Sequence, residues 1–262
     1  MACPVPDCLP APPQQPPANT HHAAMTAPPV QPEIRPLRTR IKMCGFTREA
    51  DVDAAVAAGA DAIGFVLYAK SPRFVTPARA AELARRLPAF VTPVLLFVNE
   101  DVSNVIAYCA MVTGAVAQFH GDESPADCWA ASEHGKHPYL RAARIPRGLA
   151  GLDFNLLEFV SDFSQAQAIL LDAQVDGYGG GGHTFNWSLL PPNVNAHLVL
   201  SGGLEPANVI DGIAQVRPRC KTLAVDVSSG IEVPGHKGIK NAGRMREFVA
   251  AVRQADQLLY NK

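Results

Sequence analysis

From Arg38 onward the chain repeats one unit eight times: a short run of Val, Ile, Leu or Ala, then an amphipathic or Ala-rich stretch. This alternation constrains the fold more than any other feature. The apolar runs are predicted as strands at Arg40–Cys44, Ala62–Leu67, Pro93–Val98, Ala115–His120, Tyr139–Ile145, Ala168–Asp172, His197–Leu200 and Thr222–Val227. Helices are predicted from Thr47, at Thr76-Pro77, from Asp101, Ser124 and Leu152, near Trp187, from Glu205, and over Met245–Leu259. Thr76 as N-cap with Pro77 at the first helical position is the clearest of these starts.

Near-continuous apolar strands are buried on both faces, which calls for a parallel sheet covered by helices. Eight such units in about 220 residues close into a single (β/α)₈ barrel. An open doubly wound sheet would show Gly-x-Gly-x-x-Gly after its first strand, and the turn here is Cys44-Gly45-Phe46-Thr47. We therefore expect an α/β chain with a barrel over 38–262 and a separate segment over 1–37. That segment holds eleven of the 23 prolines and lacks any helix or strand period, so it is expected to be disordered. It is either a passive tail or a module for a proline-recognising partner.

Bulk composition narrows the partners. A net charge of −1 argues against nucleic acid and anionic membranes and for a small molecule. The six cysteines form no C-x-x-C pair and no zinc-spaced cluster, so no metal is expected and the compartment is read as reducing and cytoplasmic. No apolar run is long enough for a membrane span, and the proline-broken N-terminus is not a signal peptide.

In a barrel of this kind the chemistry sits at the C-terminal ends of the strands. Those ends carry Lys42-Met43-Cys44-Gly45, the loop Lys70-Ser71-Pro72-Arg73, Gln118-Phe119-His120-Gly121, Leu170-Leu171-Asp172, Ser201-Gly202-Gly203 and Asp226-Val227-Ser228-Ser229-Gly230. Side chains alternate along a strand, so Lys42 shares a face with Cys44, Gln118 with His120, and Asp226 with Ser228. Closure makes the first and last strands neighbours, which predicts a buried Lys42–Asp226 ion pair beneath the site. Gly202-Gly203 and Ser228-Ser229-Gly230 occupy the two units where many barrels hold phosphate with backbone N–H groups. Cys44 and Asp172 are a candidate base and acid on opposite sides of the mouth, with a nearby cation expected to lower the thiol pKa. His120 is a third candidate for titration, and Arg73 can grip a carboxylate.

These motifs resemble the phosphoribosylanthranilate isomerase family through nearly the whole barrel. Lys42-Met43-Cys44-Gly45 resembles the family's opening Lys-x-Cys-Gly. Gly64-Phe65-Val66 with Ser71-Pro72-Arg73, Phe97-Val98-Asn99, and Gln118-Phe119-His120-Gly121 resemble its second, third and fourth units. Leu170-Leu171-Asp172 with Phe185-Asn186-Trp187 resembles the sixth. Leu200-Ser201-Gly202-Gly203-Leu204 and Val225-Asp226-Val227-Ser228-Ser229-Gly230 resemble the last two. The resemblance implies an Amadori rearrangement of phosphoribosylanthranilate in tryptophan biosynthesis, by a monomer that needs no cofactor. Asp172 would be the acid and Cys44 the base, Arg73 would hold the anthranilate carboxylate, and the glycine turns the phosphate. The chain departs from the family at Gly181-Gly182-His183-Thr184-Phe185-Asn186-Trp187, which puts side-chain roles from that loop in doubt. Four consecutive glycines there suggest a flap closing over substrate. Rival readings are a histidine-pathway isomerase, which would carry aspartate at position 44, an indole-forming synthase, a metal-dependent epimerase, and a barrel that binds a phosphorylated ligand without turnover.

Overall fold

Eight parallel strands close on themselves in chain order, each hydrogen-bonded to the next and β8 to β1. They are β1 Arg40–Cys44, β2 Ala62–Val66, β3 Thr92–Phe97, β4 Val116–Phe119, β5 Tyr139–Ile145, β6 Ala168–Ala173, β7 Val194–Leu200 and β8 Cys220–Val227. The structure is a computed structural model describing residues 38–146, 148, 151, 153–174 and 184–260. The expected proline-rich tail, most of the four-glycine loop and His183 lie outside the described residues.

Among the described residues seven α-helices wrap the sheet: α1 Glu49–Ala58, α2 Pro77–Ala84, α3 Val102–Ala110, α4 Pro125–Ala131, α5 Leu156–Asp162, α6 Val209–Val216 and α7 Ala242–Tyr260. Thr76 accepts a hydrogen bond from the Arg79 amide at 3.2 Å and so caps α2 as expected. Ser124 and Asp127 form a reciprocal capping box at α4. The helix expected from Trp187 is instead a three-residue 3₁₀ turn, Trp187–Leu189. Pro191 and Pro192 follow at once, and prolines there would remove helical N–H donors and clash with the preceding turn. Asn186 caps this turn by accepting from the Ser188 amide at 3.1 Å. Trp187 is buried, and a Cβ built on Gly212 of α6 would lie 3.3 Å from its ring, so the indole fills space that a helix would have covered. Helix α6 starts at Val209, later than the expected Glu205.

Alternation along the strands separates two interiors. Ile41, Met43, Ala117, Phe119, Ile169, Leu171, Leu198, Leu200, Leu223 and Val225 point outward and join the helices in one large apolar core. The opposite parity faces the barrel axis, where Ala142, Leu170 and Val199 form a separate small cluster with Ala168 and Ala224 against it. The same parity carries Val66, Val94 and Val116 on β2 to β4, and beside them the polar residues Lys42, Cys44, Gln118, Asp172 and Asp226, all of them buried. The start of the barrel is tied to its end, since the Thr39 amide donates to Asp256 of α7 at 2.9 Å. No helix among the described residues is long and apolar enough to cross a membrane.

Candidate active site

Lys42 and Asp226 are register partners on β1 and β8, and the Lys42 Nζ lies 2.9 Å from the Asp226 Oδ1. The predicted buried ion pair is therefore present, one layer below the rim. Cys44 is two residues further along β1 on the same face. A Cβ built on Gly64 of β2 would fall 2.6 Å from the Cys44 Sγ, so the missing side chain at Gly64 is what makes room for the thiol. Burial pushes the thiol pKa up from 9.0; Lys42 and Lys240 pull it down, and Asp226 adds to the rise. The expectation that a nearby cation would lower this pKa is thus corrected. The cation is there, but desolvation of the thiolate outweighs it. The same burial works against Lys42, whose pKa is nonetheless raised by Asp226 and Cys44.

Across the mouth, Asp172 stands three strands from β1 in the eight-strand ring. Its Oδ2 lies 2.9 Å from the His120 Nε2, and the His120 Nδ1 lies 3.0 Å from the Gln118 Nε2. The three expected polar residues thus form one buried chain. With the Gln118 amide nitrogen toward the ring, Nδ1 accepts and Nε2 carries the proton toward Asp172. The Gln118 Oε1 is left buried without a hydrogen-bond partner. Arg141, which sequence reasoning missed, supports this side from behind. It points outward from β5, donates to the carbonyls of Phe119, Gly121 and Glu123, and lies 4.7 Å over the Phe163 ring. Its bonds to Phe119 and Gly121 clamp the backbone on either side of His120.

The two glycine turns meet. Gly202 and Gly203 have φ of 78° and 61°, a conformation suited to glycine. A Cβ on Gly230 would lie 2.0 Å from the Leu204 carbonyl oxygen, so the turn after β8 packs backbone to backbone on the turn after β7. A Cβ on Gly202 would lie 2.8 Å from the Asp172 Oδ1, and the Ser228 Oγ donates to the Cys44 carbonyl at 3.0 Å. Ser229 opens a 3₁₀ turn, Ser229–Ile231, at the end of β8.

Arg73 is buried, not solvated. Its Nε and Nη2 reach both carboxylate oxygens of Glu232 at 2.7 and 2.8 Å. Glu232 also accepts from the Lys240 Nζ at 3.1 Å and the Gly238 amide at 2.9 Å. Burial alone would push the Glu232 carboxyl up, but the Arg73 hydrogen bonds, the two cations and the Gly238 N–H hold it below 4.5. Burial brings Lys240 down to about 8 despite Glu232. Neither Glu232 nor Lys240 was singled out from sequence. The signal was available: Pro234-Gly235 lies between them, as a turn would between paired backbones. Glu232 and Lys240 are in fact partners in an antiparallel bridge.

A closed barrel with a thiol, a carboxylate–imidazole pair and two joined glycine turns at its C-terminal rim belongs to the class of (β/α)₈-barrel enzymes. The model of the N-(5′-phosphoribosyl)anthranilate (PRA) isomerase family matches residues 41–251, and the chain belongs to that family. It is 60% identical over 220 residues to the N-(5′-phosphoribosyl)anthranilate isomerase of Methylibium petroleiphilum, covering 84% of this chain and 96% of that one. For the namesake from Dechloromonas aromatica the identity is 55% over 221 residues, covering 84% and 99%. Among solved structures, phosphoribosylanthranilate isomerase from Thermotoga maritima matches with a TM-score of 0.70 at 35% identity, over 82% of this chain and 99% of that one. A complex of such an isomerase with reduced 1-(o-carboxyphenylamino)-1-deoxyribulose 5-phosphate matches with a TM-score of 0.65 at 31% identity, over the same shares. The chain is an isomerase of tryptophan biosynthesis.

Proposed function

We propose that this chain rearranges N-(5-phosphoribosyl)anthranilate to 1-(2-carboxyphenylamino)-1-deoxyribulose 5-phosphate, with Asp172 as general acid and Cys44 as general base. The observation that carries the assignment is the position of the glycine turns. β7 and β8 lie between β6 and β1 in the ring, and their turns touch Asp172 on one side and the Cys44 backbone on the other. A phosphate held by the backbones of Gly202, Gly203, Ser229 and Gly230 would place the attached ribose between acid and base.

Asp172 gives a proton to the ribose ring oxygen, the C1–O bond breaks, and the nitrogen lone pair forms an iminium. Cys44 as thiolate then takes the C2 proton, and the C–H electrons flow to the iminium to give an enolamine. Tautomerisation to the ketone completes the isomerisation, and solvent restores the two protonation states. The iminium is the electron sink, so these steps move only protons and the electron pairs of the substrate. The acid must start with one proton more than a carboxylate beside a neutral imidazole holds. His120, 2.9 Å away, holds that proton when the Gln118 amide turns so that Oε1, not Nε2, faces Nδ1. A thiol that burial makes hard to ionise is a strong base once ionised, and the iminium beside it supplies the missing positive charge. Arg73 would hold the anthranilate carboxylate through the edge that Glu232 leaves open. Lys42, Gln118 and Asp226 lie beneath and fix the groups above them.

All these groups come from one chain, so a monomer contains a complete site. The four described cysteines are free, which suits a reducing cytoplasm. The barrel over 38–262 would carry the activity without residues 1–37. The decisive measurement is loss of phosphoribosylanthranilate fluorescence with purified protein. Cys44→Ser and Asp172→Asn should each lower kcat by about 10² or more while KM changes little. Turnover like wild type in either variant would remove the assignment.

A further inference from the structure

Two buried cations, Arg73 and Lys240, share one carboxylate, Glu232, directly above the barrel mouth. The cluster therefore carries one positive charge in excess. An uncompensated buried charge is costly, and it is tolerated best where an anion completes it. The cluster is also a mechanical link. Glu232 holds two donors of Arg73, whose stem is pressed between backbones: a Cβ on Gly45 would lie 2.4 Å from the Arg73 Cδ, and one on Gly238 would lie 3.9 Å from its Cγ. Lys240 donates to the same carboxylate and to the Ser228 carbonyl at 3.0 Å, the residue that begins the turn after β8. Its side chain is fully buried, 5.5 Å over the Phe46 ring. Because Glu232 and Lys240 pair across an antiparallel bridge, their side chains are held in register by the backbone. The loop after β8 thus reaches across the end of β1 to the loop after β2.

We propose that Lys240 and Glu232 are positioning residues that couple the two anion grips: Glu232 aims Arg73 at the substrate carboxylate, and Lys240 ties that pair to the turn that holds phosphate. This rests on the reading of Arg73 and the glycine turns given above. Lys240 does not touch the reacting atoms; it acts through Ser228 and Glu232.

The test is competitive inhibition by each half of the substrate alone, anthranilate and inorganic phosphate. Arg73→Ala should weaken anthranilate only, and this control judges the underlying reading. Lys240→Met keeps length and apolar contact with Phe46 while removing the charge. It should weaken both inhibitors about tenfold and raise KM, with kcat at saturation within about threefold of wild type. Folded Lys240→Met protein with either inhibition constant unchanged would overturn the coupling, whatever Arg73→Ala does. A fall in kcat at constant KM would also overturn it, since Lys240 would then act on the chemistry. If Lys240→Met does not fold, Glu232→Gln, which keeps size, serves instead. It should weaken anthranilate at least as much as Lys240→Met is expected to, and unchanged anthranilate inhibition would refute the proposal.

Discussion

The base side and the acid side of the mouth are built differently. Around Cys44 the charges are inside: Lys42–Asp226 within the barrel and Arg73–Glu232–Lys240 over its end, all buried. Around Asp172 the inward face holds the hydrogen-bonded chain Gln118–His120–Asp172 and, beside Asp172 in register on β5, the half-buried Arg144, which lies 3.6 Å from Asp122; the buried charge pair, Arg141–Glu123 at 3.3 Å, lies outside the sheet against α5. The difference suits the proposed division of labour. A thiolate forming in a dry site needs fixed positive charge near it. An acid must gain and lose a proton, which the hydrogen-bonded imidazole allows, and the one arginine beside it on β5 is paired to Asp122.

If that contrast is right, the largest loss on removing one polar group should come from the base side. Lys42→Met leaves Asp226 charged and buried without its partner, which should cost about 3–5 kcal/mol in urea unfolding. The double variant Lys42→Met/Asp226→Leu should recover most of this, because the unpaired charge is gone. A single-variant loss below about 1 kcal/mol would mean that water reaches the pair and that the barrel interior is not dry.

Gly64→Ala sharpens the contrast from the packing side. The new methyl would stand 2.6 Å from the Cys44 Sγ, between two strands that cannot move apart without breaking the ring. Overpacking of this kind costs about 1–3 kcal/mol, and here the thiol is the atom free to shift. We expect kcat to fall about tenfold with a modest loss in melting temperature, since misplacement by a fraction of an ångström is felt in the chemical step. Unchanged kcat would show that the thiol's position is not critical.

The strands were legible in the sequence because they are buried on both faces and have no competing pattern. β1 and β5 agree end to end, and the rest within a few residues. The Lys42–Asp226 pair was legible too, from alternation plus closure. What escaped has particular causes. Pro191-Pro192 cancels the helix at Trp187, because local proline chemistry overrides the strand–helix rhythm on which that expectation rests. Neighbouring charges alone do not set the thiol pKa, because the burial that outweighs them exists only in the closed barrel. Arg73 and Glu232 meet across 159 residues, and no period or spacing links positions that far apart. His120 and Asp172 are each legible as rim groups, but their contact depends on how far the strands tilt, which sequence does not specify.

His120→Ala tests the acid side. It leaves the buried Asp172 carboxylate without its partner, which should cost about 1–3 kcal/mol of stability, less than Lys42→Met. We expect kcat to fall roughly tenfold, well short of the Asp172→Asn loss, because the acid remains but loses the group that shares its proton. A loss equal to that of Asp172→Asn would make the imidazole the acid and turn Asp172 into its support.

The smallest effect should come from acidification, and it concerns only the base side. Glu232's carboxyl is held below its ordinary 4.5, so the folded protein binds its proton less readily than the unfolded chain. Such a group adds stability that is fully present above the unfolded pKa and lost as pH falls through the lower, folded value. Below about pH 5, where Lys240 is protonated in both proteins, the stability difference between wild type and Glu232→Gln should therefore narrow, as wild type gives up the contribution the variant never had. Urea unfolding at stepped pH measures it directly. A gap that widens on acidification would mean that burial, not the Arg73 and Lys240 contacts, governs this carboxyl. The charge network over Cys44 would then be weaker than its geometry implies, and the contrast between the two sides would shrink to one ion pair.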